Sequence, residues 1–347
     1  MYYFNNDYNA MCHPAVMDRM YAISRQHFPG YSTDSCCSSA AALIRKLCRR
    51  EDLAVHFLVG GTQTNLTVIA ASLRPHQAVI GADTAHVQVH ETGAIEATGH
   101  KVIAVPSKDG KVTARQVEQL VLLHRNDSDA EHIAQPKMVY ISNSTELGTI
   151  YTKDELYALS EVCNRLGLLL FMDGARLGYA LTASDNDLTL EDIATCCDVF
   201  YIGGTKVGAM FGEAVVIRNP SIAEDFRYMI KQRGGMLAKG WLLGAQFEAL
   251  LTDDLYFRIA RHANVQADRI RYTLAQIGCR MLMETTTNQI FPILSDDVLK
   301  VLAERFTFAE MGRIDEFHRA VRFCTSWDTD PQIVTSLCDA LLAAGGK

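Results

Sequence analysis

The chain has 347 residues, 48% of them hydrophobic and 21% charged, so it is long enough to bury a large core and to form more than one domain. Its formal net charge of −7 argues against nucleic acids and anionic membranes as partners, because both attract basic surfaces. No apolar run approaches the roughly 20 residues that cross a bilayer, and the first residues do not resemble an export signal. These features predict a cytoplasmic protein with no nucleic-acid or membrane partner.

The ten cysteines are arranged unlike a disulfide framework or a zinc site. Two pairs are adjacent in sequence, the others are scattered, and no Cys-x-x-Cys motif is present. We therefore expect reduced thiols that are mostly small buried hydrophobic groups.

Residues 54–217 alternate short apolar runs with amphipathic stretches, a pattern typical of an α/β domain around a mostly parallel sheet. Residues 152–166 open with Thr-Lys-Asp-Glu and end before Gly167, which predicts a helix with an N-cap, an acidic first turn and a glycine stop. The predicted strands cover residues 54–59, 78–80, 101–105, 137–142, 168–173 and 198–202.

After two glycines at 234 and 235 the pattern changes to long helical periodicity, which continues through Gln276. Strand candidates then follow at 280–283, 289–294 and 319–325, before a final helix at 331–343. We therefore predict two parts. Residues 1–247 form an N-terminal arm and a large α/β domain, and residues 248–347 form a small α+β domain.

Ligands of parallel sheets bind at the carboxyl ends of the strands, so the residues that follow each predicted strand are candidates for a site. Residues 60–65, Gly-Gly-Thr-Gln-Thr-Asn, join the first strand to a helix, and free N–H groups there would suit a phosphate. Asp173 ends the fifth strand, and Lys206 follows the sixth after Gly-Gly-Thr.

The sequence lacks the motifs of other nucleotide- and cofactor-dependent enzymes. The chain has neither a Gly-x-x-x-x-Gly-Lys-Ser/Thr loop nor a Gly-x-Gly-x-x-Gly fingerprint, which disfavours nucleotide hydrolases and nicotinamide dehydrogenases. His86 and His90 are four positions apart, with Glu91 next, and on a helix they could bind a metal; since no ligand elsewhere has suggestive spacing and a His-Glu-x-x-His motif is absent, we predict no metal site.

Pyridoxal 5'-phosphate (PLP) requires three groups: a phosphate-binding site, a carboxylate at the end of a strand and a lysine at the end of a strand. The glycine turn would bind the phosphate, and Asp173 would keep the pyridine nitrogen protonated so that the ring accepts electrons. Lys206 would form the Schiff base with the cofactor aldehyde. Together these groups predict a PLP enzyme.

Several motifs occur in order along the chain: residues 61–65, His86 with Glu-Thr-Gly at 91–93, Asp-Gly-Ala-Arg-Leu at 173–177, Thr-Lys at 205–206, and Arg322. Together they resemble the threonine aldolase (β-eliminating lyase) family of fold-type-I PLP enzymes, specifically its low-specificity or phenylserine-aldolase-like branch. The resemblance implies an aspartate-aminotransferase-like fold with a large, mostly parallel sheet domain and a smaller α+β C-terminal domain.

The resemblance also implies roles for individual residues. The catalytic residues would be Lys206, His86 and Asp173. Those that bind the cofactor would be Gly61, Thr62, His86, Asp173, Arg176, Thr205 and Lys206. Those that bind the substrate would be Asn6, Tyr31, Arg176, Arg322 and Glu146, with the two arginines on the α-carboxylate, where paired guanidinium groups orient the scissile bond.

Two segments depart from the family pattern. The family's Arg-Ser-Asp is replaced by Asn5-Asn6-Asp7, and Asn-Thr-His is replaced by Ser144-Thr145-Glu146, so a carboxylate stands where a histidine would contact the β-hydroxyl. The changes leave cofactor chemistry intact and bear on the choice of β-hydroxy amino acid and on the stereochemistry at Cβ.

The expected reaction is cleavage of L-threonine, L-allo-threonine or a related β-hydroxy-α-amino acid to glycine and an aldehyde. His86 is the preferred base and Glu146 the alternative, because an imidazole titrates near neutral pH. PLP-dependent β-elimination or racemisation of another amino acid is the alternative function, and a non-catalytic binding protein is a more remote one. The resemblance further implies a homodimer or homotetramer in which the Tyr31 segment reaches the neighbouring site.

Overall fold

The computed structural model describes residues 1–345, which form three β-sheets and the helices packed around them. The strands are β1 (Tyr2–Tyr3), β2 (Ala54–Leu58), β3 (Gln77–Ala82), β4 (Val102–Val105), β5 (Gln135–Ser142), β6 (Leu169–Asp173), β7 (Val199–Gly203), β8 (Glu213–Ile217), β9 (Met281–Met283), β10 (Gln289–Ser295), β11 (Phe306–Thr307), β12 (Ala309–Arg313) and β13 (His318–Cys324).

The α-helices are α1 (Pro14–Ile23), α2 (Ser35–Cys48), α3 (Gly61–Ser72), α4 (His86–Val89), α5 (Ala114–Arg125), α6 (Lys153–Leu166), α7 (Leu177–Leu181), α8 (Leu190–Cys196), α9 (Pro220–Ala223), α10 (Phe226–Gln232), α11 (Trp241–Leu251), α12 (Leu255–Gln276), α13 (Asp296–Ala303) and α14 (Pro331–Gly345). Short 3-10 helices cover Glu96–Thr98, Ala130–His132 and Thr252–Asp254.

The central sheet has seven strands in the order β2-β8-β7-β6-β5-β3-β4, and only β8 runs against the others. Because β8 is antiparallel to both neighbours, β2 is parallel to β7 and ends at the same edge of the sheet. The register places Leu58, Glu213 and Gly203 side by side there. The predicted α/β class with a mostly parallel sheet is confirmed.

The predicted helix at 152–166 is also confirmed, as α6. The Thr152 hydroxyl accepts a hydrogen bond from the Glu155 backbone N–H, and the Glu155 carboxylate accepts one from the Thr152 N–H. The helix stops at Gly167, which has φ 65°, a left-handed conformation that glycine adopts without a Cβ clash.

The C-terminal part is built around a four-stranded antiparallel sheet in the order β12-β13-β10-β9. It has a second hydrophobic core, which includes residues of α12, α13 and α14. The N-terminus joins this part, since β1 pairs with β11 and Phe4 is buried in the same core. The predicted division at residue 248 falls within α11 and stays a prediction, and residues 346–347 lie outside the described residues.

The ten cysteines are free thiols, and most are buried, as the scattered spacing predicts. None of the helices in residues 1–345 combines the length and the apolar character needed to span a bilayer.

Candidate active site

A cavity of about 260 Å³ opens at the carboxyl edge of the central sheet. Eight of the residues predicted from the sequence line it together: Gly61, Thr62, His86, Glu146, Asp173, Arg176, Thr205 and Lys206. They come from loops that follow five different strands, and the parallel topology brings those loops to one place. The other lining residues are Tyr8, Val59, Gly60, Ser142, Ser144, Ala175, Tyr201 and Glu213.

The amino end of α3 faces this cavity. Gly60 precedes the helix and no side chain caps it, so the first N–H groups are left for a bound anion. A Cβ on Gly61 would lie 3.3 Å from the Tyr201 hydroxyl, closer than most real Cβ contacts, so a larger residue would crowd the entrance to the helix. The geometry suits a phosphate.

Asp173 is buried at the end of β6 and is held by three donors. The Tyr140 hydroxyl donates to its Oδ2 at 2.5 Å, the Asn65 amide donates to the same oxygen at 3.1 Å, and the Ala175 N–H donates to Oδ1 at 2.9 Å. Burial alone would raise the pKa of Asp173, but the charge of His86 and the hydrogen bonds from Tyr140 and the Ala175 N–H lower it below its ordinary value. The carboxylate therefore stays ionised.

Lys206 lies on the turn after β7, and Glu213, the first residue of the neighbouring strand β8, stabilises this turn. The Glu213 carboxylate accepts hydrogen bonds from the Gly204 N–H at 3.0 Å and from the Thr205 hydroxyl at 2.9 Å. Burial and the nearby charge of Arg176 lower the pKa of Lys206, which favours the neutral, nucleophilic amine.

His86 begins α4 and lines the same cavity. Its backbone N–H donates to Glu146 Oε1 at 3.0 Å, and the Ser142 hydroxyl donates to the same oxygen at 2.7 Å. Burial alone would lower the pKa of His86, but its contact with Glu91 and the charge of Asp173 raise it above its ordinary value. Burial raises the pKa of Glu146, although the hydrogen bond from Ser142 opposes this.

Arg176 forms a buried ion pair with Asp7 from the N-terminal segment. Its Nε lies 2.7 Å from Asp7 Oδ2, and its Nη2 lies 3.1 Å from Oδ1. This pairing uses one edge of the guanidinium group. The edge formed by Nη1 and Nη2 is still available for a second carboxylate.

Three of the predicted substrate-binding residues do not line the cavity. Asn6 accepts a hydrogen bond from the Tyr8 N–H at 3.0 Å, and Arg322 donates to the Asn5 carbonyl at 3.0 Å and to Gln289 at 3.2 Å. Tyr31 lies on a separate groove with Lys231, whose Nζ is 5.0 Å from the ring centroid. The roles of Asn6, Tyr31 and Arg322 stay predictions.

Sequence reasoning missed several polar residues of the site: Asp7, Asn65, Glu91, Tyr140 and Glu213. Glu213 was missed because it begins an antiparallel strand, whose amino end lies at the edge where parallel strands have their carboxyl ends. Asn65 carried a usable signal, since it lies one turn beyond Gly61 on the helix that follows the glycine turn.

The residues fit PLP. An uncapped helix end is available for the phosphate, an ionised carboxylate for the pyridine nitrogen and an amine for the aldehyde, and all three border one cavity. The Ser144 hydroxyl, which borders the same cavity, is buried and has no hydrogen-bond partner within residues 1–345. Within residues 1–345, no group of three or more His, Cys, Asp or Glu side chains is placed to hold a metal ion.

Comparison with known proteins identifies the family. The profile described as beta-eliminating lyase matches residues 4–297. The low specificity L-threonine aldolase of Pseudomonas aeruginosa is 34% identical over 343 residues, which cover 96% of this chain and 94% of that protein. A solved structure of Leishmania major threonine aldolase is 45% identical, has a TM-score of 0.97 and covers 99% of this chain and 100% of its own.

More distant structures agree on the fold. Thermus thermophilus aspartate aminotransferase matches with a TM-score of 0.72 at 14% identity, covering 99% of this chain and 91% of its own. The aspartate-aminotransferase-like fold expected from the sequence is therefore confirmed. The chain belongs to the beta-eliminating lyase family and is a PLP-dependent lyase of fold type I.

Proposed function

We propose that this chain is an aldolase that splits L-threonine, L-allo-threonine or a related β-hydroxy-α-amino acid into glycine and an aldehyde. The observation that carries the proposal is the cavity in which Lys206, Asp173 and His86 meet at the open end of α3. The Pseudomonas and Leishmania relatives, both threonine aldolases by name, support the same substrate class.

When bound, PLP supplies an electron sink that accepts the electron pair left at Cα as the Cα–Cβ bond breaks. Lys206 would hold the cofactor through its amine. Asp173 would supply the negative charge that keeps the ring nitrogen protonated. Gly61, Thr62 and Thr205 are assigned to the cofactor around these two residues.

Arg176 is proposed to bind the substrate α-carboxylate through its Nη1–Nη2 edge, while Asp7 fixes the other edge. Arg322 and Asn6 are proposed to approach the same carboxylate, which requires both to move from their contacts with Asn5 and Tyr8. The orientation of the α-carboxylate decides which bond to Cα stands perpendicular to the ring and breaks.

His86 is proposed to take the proton from the β-hydroxyl as the aldehyde leaves, directly or through a water molecule. The vacated position on Cα then takes up a proton, which gives glycine. Glu146 is proposed to contact the β-hydroxyl and is the alternative base, with burial raising its pKa and the hydrogen bond from Ser142 opposing that shift.

The test begins with the visible absorbance band of a lysine-bound cofactor in the purified protein. Lys206→Ala should lose this band and the release of acetaldehyde and glycine from L-threonine, while Lys300→Ala, which removes an exposed lysine on α13, should keep both. Pyruvate and ammonia in place of glycine would show elimination instead. A protein with no band and no acetaldehyde release would refute the proposal.

We further propose that the enzyme works in the cytoplasm as a homodimer or homotetramer in which Tyr31 completes the site of the neighbouring copy. Tyr31 is 46% exposed and its backbone is held in the left-handed region, with the Arg227 guanidinium donating to its carbonyl at 3.0 Å. Mixing inactive Tyr31→Ala and Lys206→Ala proteins should restore activity through hybrid oligomers. A fully active monomer in sedimentation would contradict this assembly.

A further inference from the structure

Glu91 is a buried carboxylate directly behind His86 that the proposed reaction leaves without a role. Its side chain is 0% exposed, and its Oε1 lies 2.8 Å from His86 Nδ1. The same oxygen lies 2.7 Å from the Asn65 amide nitrogen. Acidic side chains are rarely fully buried unless they are paired, so we ask what the pairing of Glu91 with His86 does.

The hydrogen-bond pattern indicates the direction of the His86 contact. Asn65 Nδ2 can only donate, so Glu91 Oε1 accepts a hydrogen bond from it. With the same oxygen accepting from His86 as well, the proton between the two groups lies on His86 Nδ1. The other ring nitrogen, Nε2, is then the unprotonated one in neutral His86.

Asn65 connects this contact to Asp173, which lines the same cavity. Its amide nitrogen also donates to Asp173 Oδ2, at 3.1 Å, so one amide joins the carboxylate behind His86 to the carboxylate proposed for the ring nitrogen. Asn65 is buried on α3, which keeps this bridge rigid. The four side chains therefore form one continuous network: His86, Glu91, Asn65 and Asp173.

Several charged or titratable groups besides Glu91 act on His86. Asp173 favours the charged imidazole and Lys206 disfavours it. Glu146 accepts a hydrogen bond from the His86 backbone N–H, and the His90 ring centroid lies 5.6 Å from that of His86. Of these groups, only Glu91 makes a hydrogen bond to the imidazole among residues 1–345.

We propose that Glu91 is a positioning residue that holds His86 with its Nδ1–H directed at the carboxylate, so that Nε2 is free to accept the substrate proton. The proposal rests on the proposed aldolase function, in which His86 is the base. The Glu91 carboxylate fixes the tautomer and the ring orientation and stabilises the imidazolium as it forms, as a carboxylate behind a catalytic histidine does.

The test uses the purified holoenzyme labelled with ¹⁵N and ¹³C in histidine, in three forms. Glu91→Gln removes the charge while keeping an oxygen for His86 and Asn65. Glu96→Gln is the matched control, because it removes the same charge from an exposed side chain five positions later. His86→Gln assigns the His86 signals by their loss. NMR gives the tautomer and the pKa of His86, and the pH profile of kcat/KM for L-threonine is measured on the same samples.

We expect neutral His86 in the unsubstituted enzyme to carry its proton on Nδ1. Relative to Glu96→Gln, Glu91→Gln should lower the pKa of His86, move the acidic limb of kcat/KM to lower pH and reduce its plateau about tenfold. A proton on Nε2, an unchanged pKa, or a pH profile that does not follow the pKa would each overturn the proposal. Should Glu91→Gln not fold, the tautomer in the unsubstituted enzyme decides.

The same measurements separate this proposal from the proposed function. An enzyme that releases no acetaldehyde in any form refutes the aldolase function, and with it a role for Glu91 in that reaction. An enzyme that releases acetaldehyde while its His86 is protonated on Nε2 keeps the aldolase function and refutes the role of Glu91.

Discussion

Arg176 and Asp7 are 169 positions apart in sequence and form a buried ion pair with two hydrogen bonds, at 2.7 and 3.1 Å. The Asn288 amide donates to the same Asp7 carboxylate at 2.9 Å. The pair therefore fastens the N-terminal segment to the cavity and to the C-terminal part at once. Although burial alone would raise it, the charge of Arg176 lowers the pKa of Asp7 from 3.8 to about 2.

Removing Asp7 should destabilise the protein strongly. Asp7→Ala leaves the Arg176 guanidinium buried without its partner, and we expect a loss of about 3–5 kcal/mol in the free energy of unfolding. Asp18→Ala, on the exposed face of α1, should change it by less than about 0.5 kcal/mol. Chemical denaturation monitored by circular dichroism compares the two, and equal stabilities would contradict the importance of the pair.

The same pair predicts how stability responds to acid. Because the folded-state pKa of Asp7 lies below its ordinary value of 3.8, the pair stabilises the fold above that pH, and the contribution is lost as the pH falls toward about 2. Asp7→Asn should therefore show a shallower loss of melting temperature between about pH 4 and pH 2 than the unsubstituted protein. Parallel curves for the two proteins would refute this assignment.

The fold was largely predictable because each central strand is an apolar run bounded by turn residues. The six predicted strands match β2 to β7 to within two residues at either end. The strand β8 was not predicted, since it is an antiparallel strand that follows β7 through a turn rather than through a crossover helix. The pairing of β1 with β11 could not be predicted either, because it joins residues about 300 positions apart and no local sequence pattern indicates it.

The site was predictable where chemistry lies directly after a strand, as at Asp173 and Lys206. Parallel topology alone brings such residues together. The partners that hold the site residues, such as Asp7 on Arg176 and Tyr140 on Asp173, were missed because they lie 169 and 33 positions away in sequence. Composition and spacing do not report such pairing.

The raised pKa of Glu213 predicts that stability falls as the pH rises, the opposite of the response predicted for Asp7. Burial raises the pKa of Glu213 from 4.5 to about 8, although Thr205 and Lys206 oppose this shift. Between those two values the folded protein binds a proton that the unfolded chain releases, so this residue lowers stability as the pH rises through that window. Glu213→Gln should flatten the decline in melting temperature, and Glu131→Gln, which alters an exposed residue, should not. Identical slopes in all three proteins would rule out this assignment.

The two candidate bases, His86 and Glu146, predict different losses of activity when each is substituted. If His86 takes the β-hydroxyl proton, His86→Gln should reduce kcat for L-threonine by about 10²-fold or more, while the visible cofactor band is retained. Glu146→Gln keeps one oxygen, which can still accept from both the Ser142 hydroxyl and the His86 N–H, so a loss of only about tenfold is expected, together with a changed ratio of kcat/KM for threonine and allo-threonine. A larger loss in Glu146→Gln than in His86→Gln would reverse the assignment.

Two threonines on α3 provide a matched test of the phosphate seat. Thr62 lines the cavity at the amino end of the helix, whereas the Thr67 hydroxyl is buried on the same helix without a hydrogen-bond partner. Thr62→Val should weaken PLP binding about tenfold or more, since a hydrogen bond to a charged group contributes about 1.5–3 kcal/mol. Thr67→Val replaces the buried hydroxyl with a methyl group of similar size, so the affinity for PLP should be unchanged. Spectroscopic titration of cofactor-depleted protein measures both affinities, and an equal Kd for the two variants would show that the Thr62 hydroxyl does not bind the phosphate.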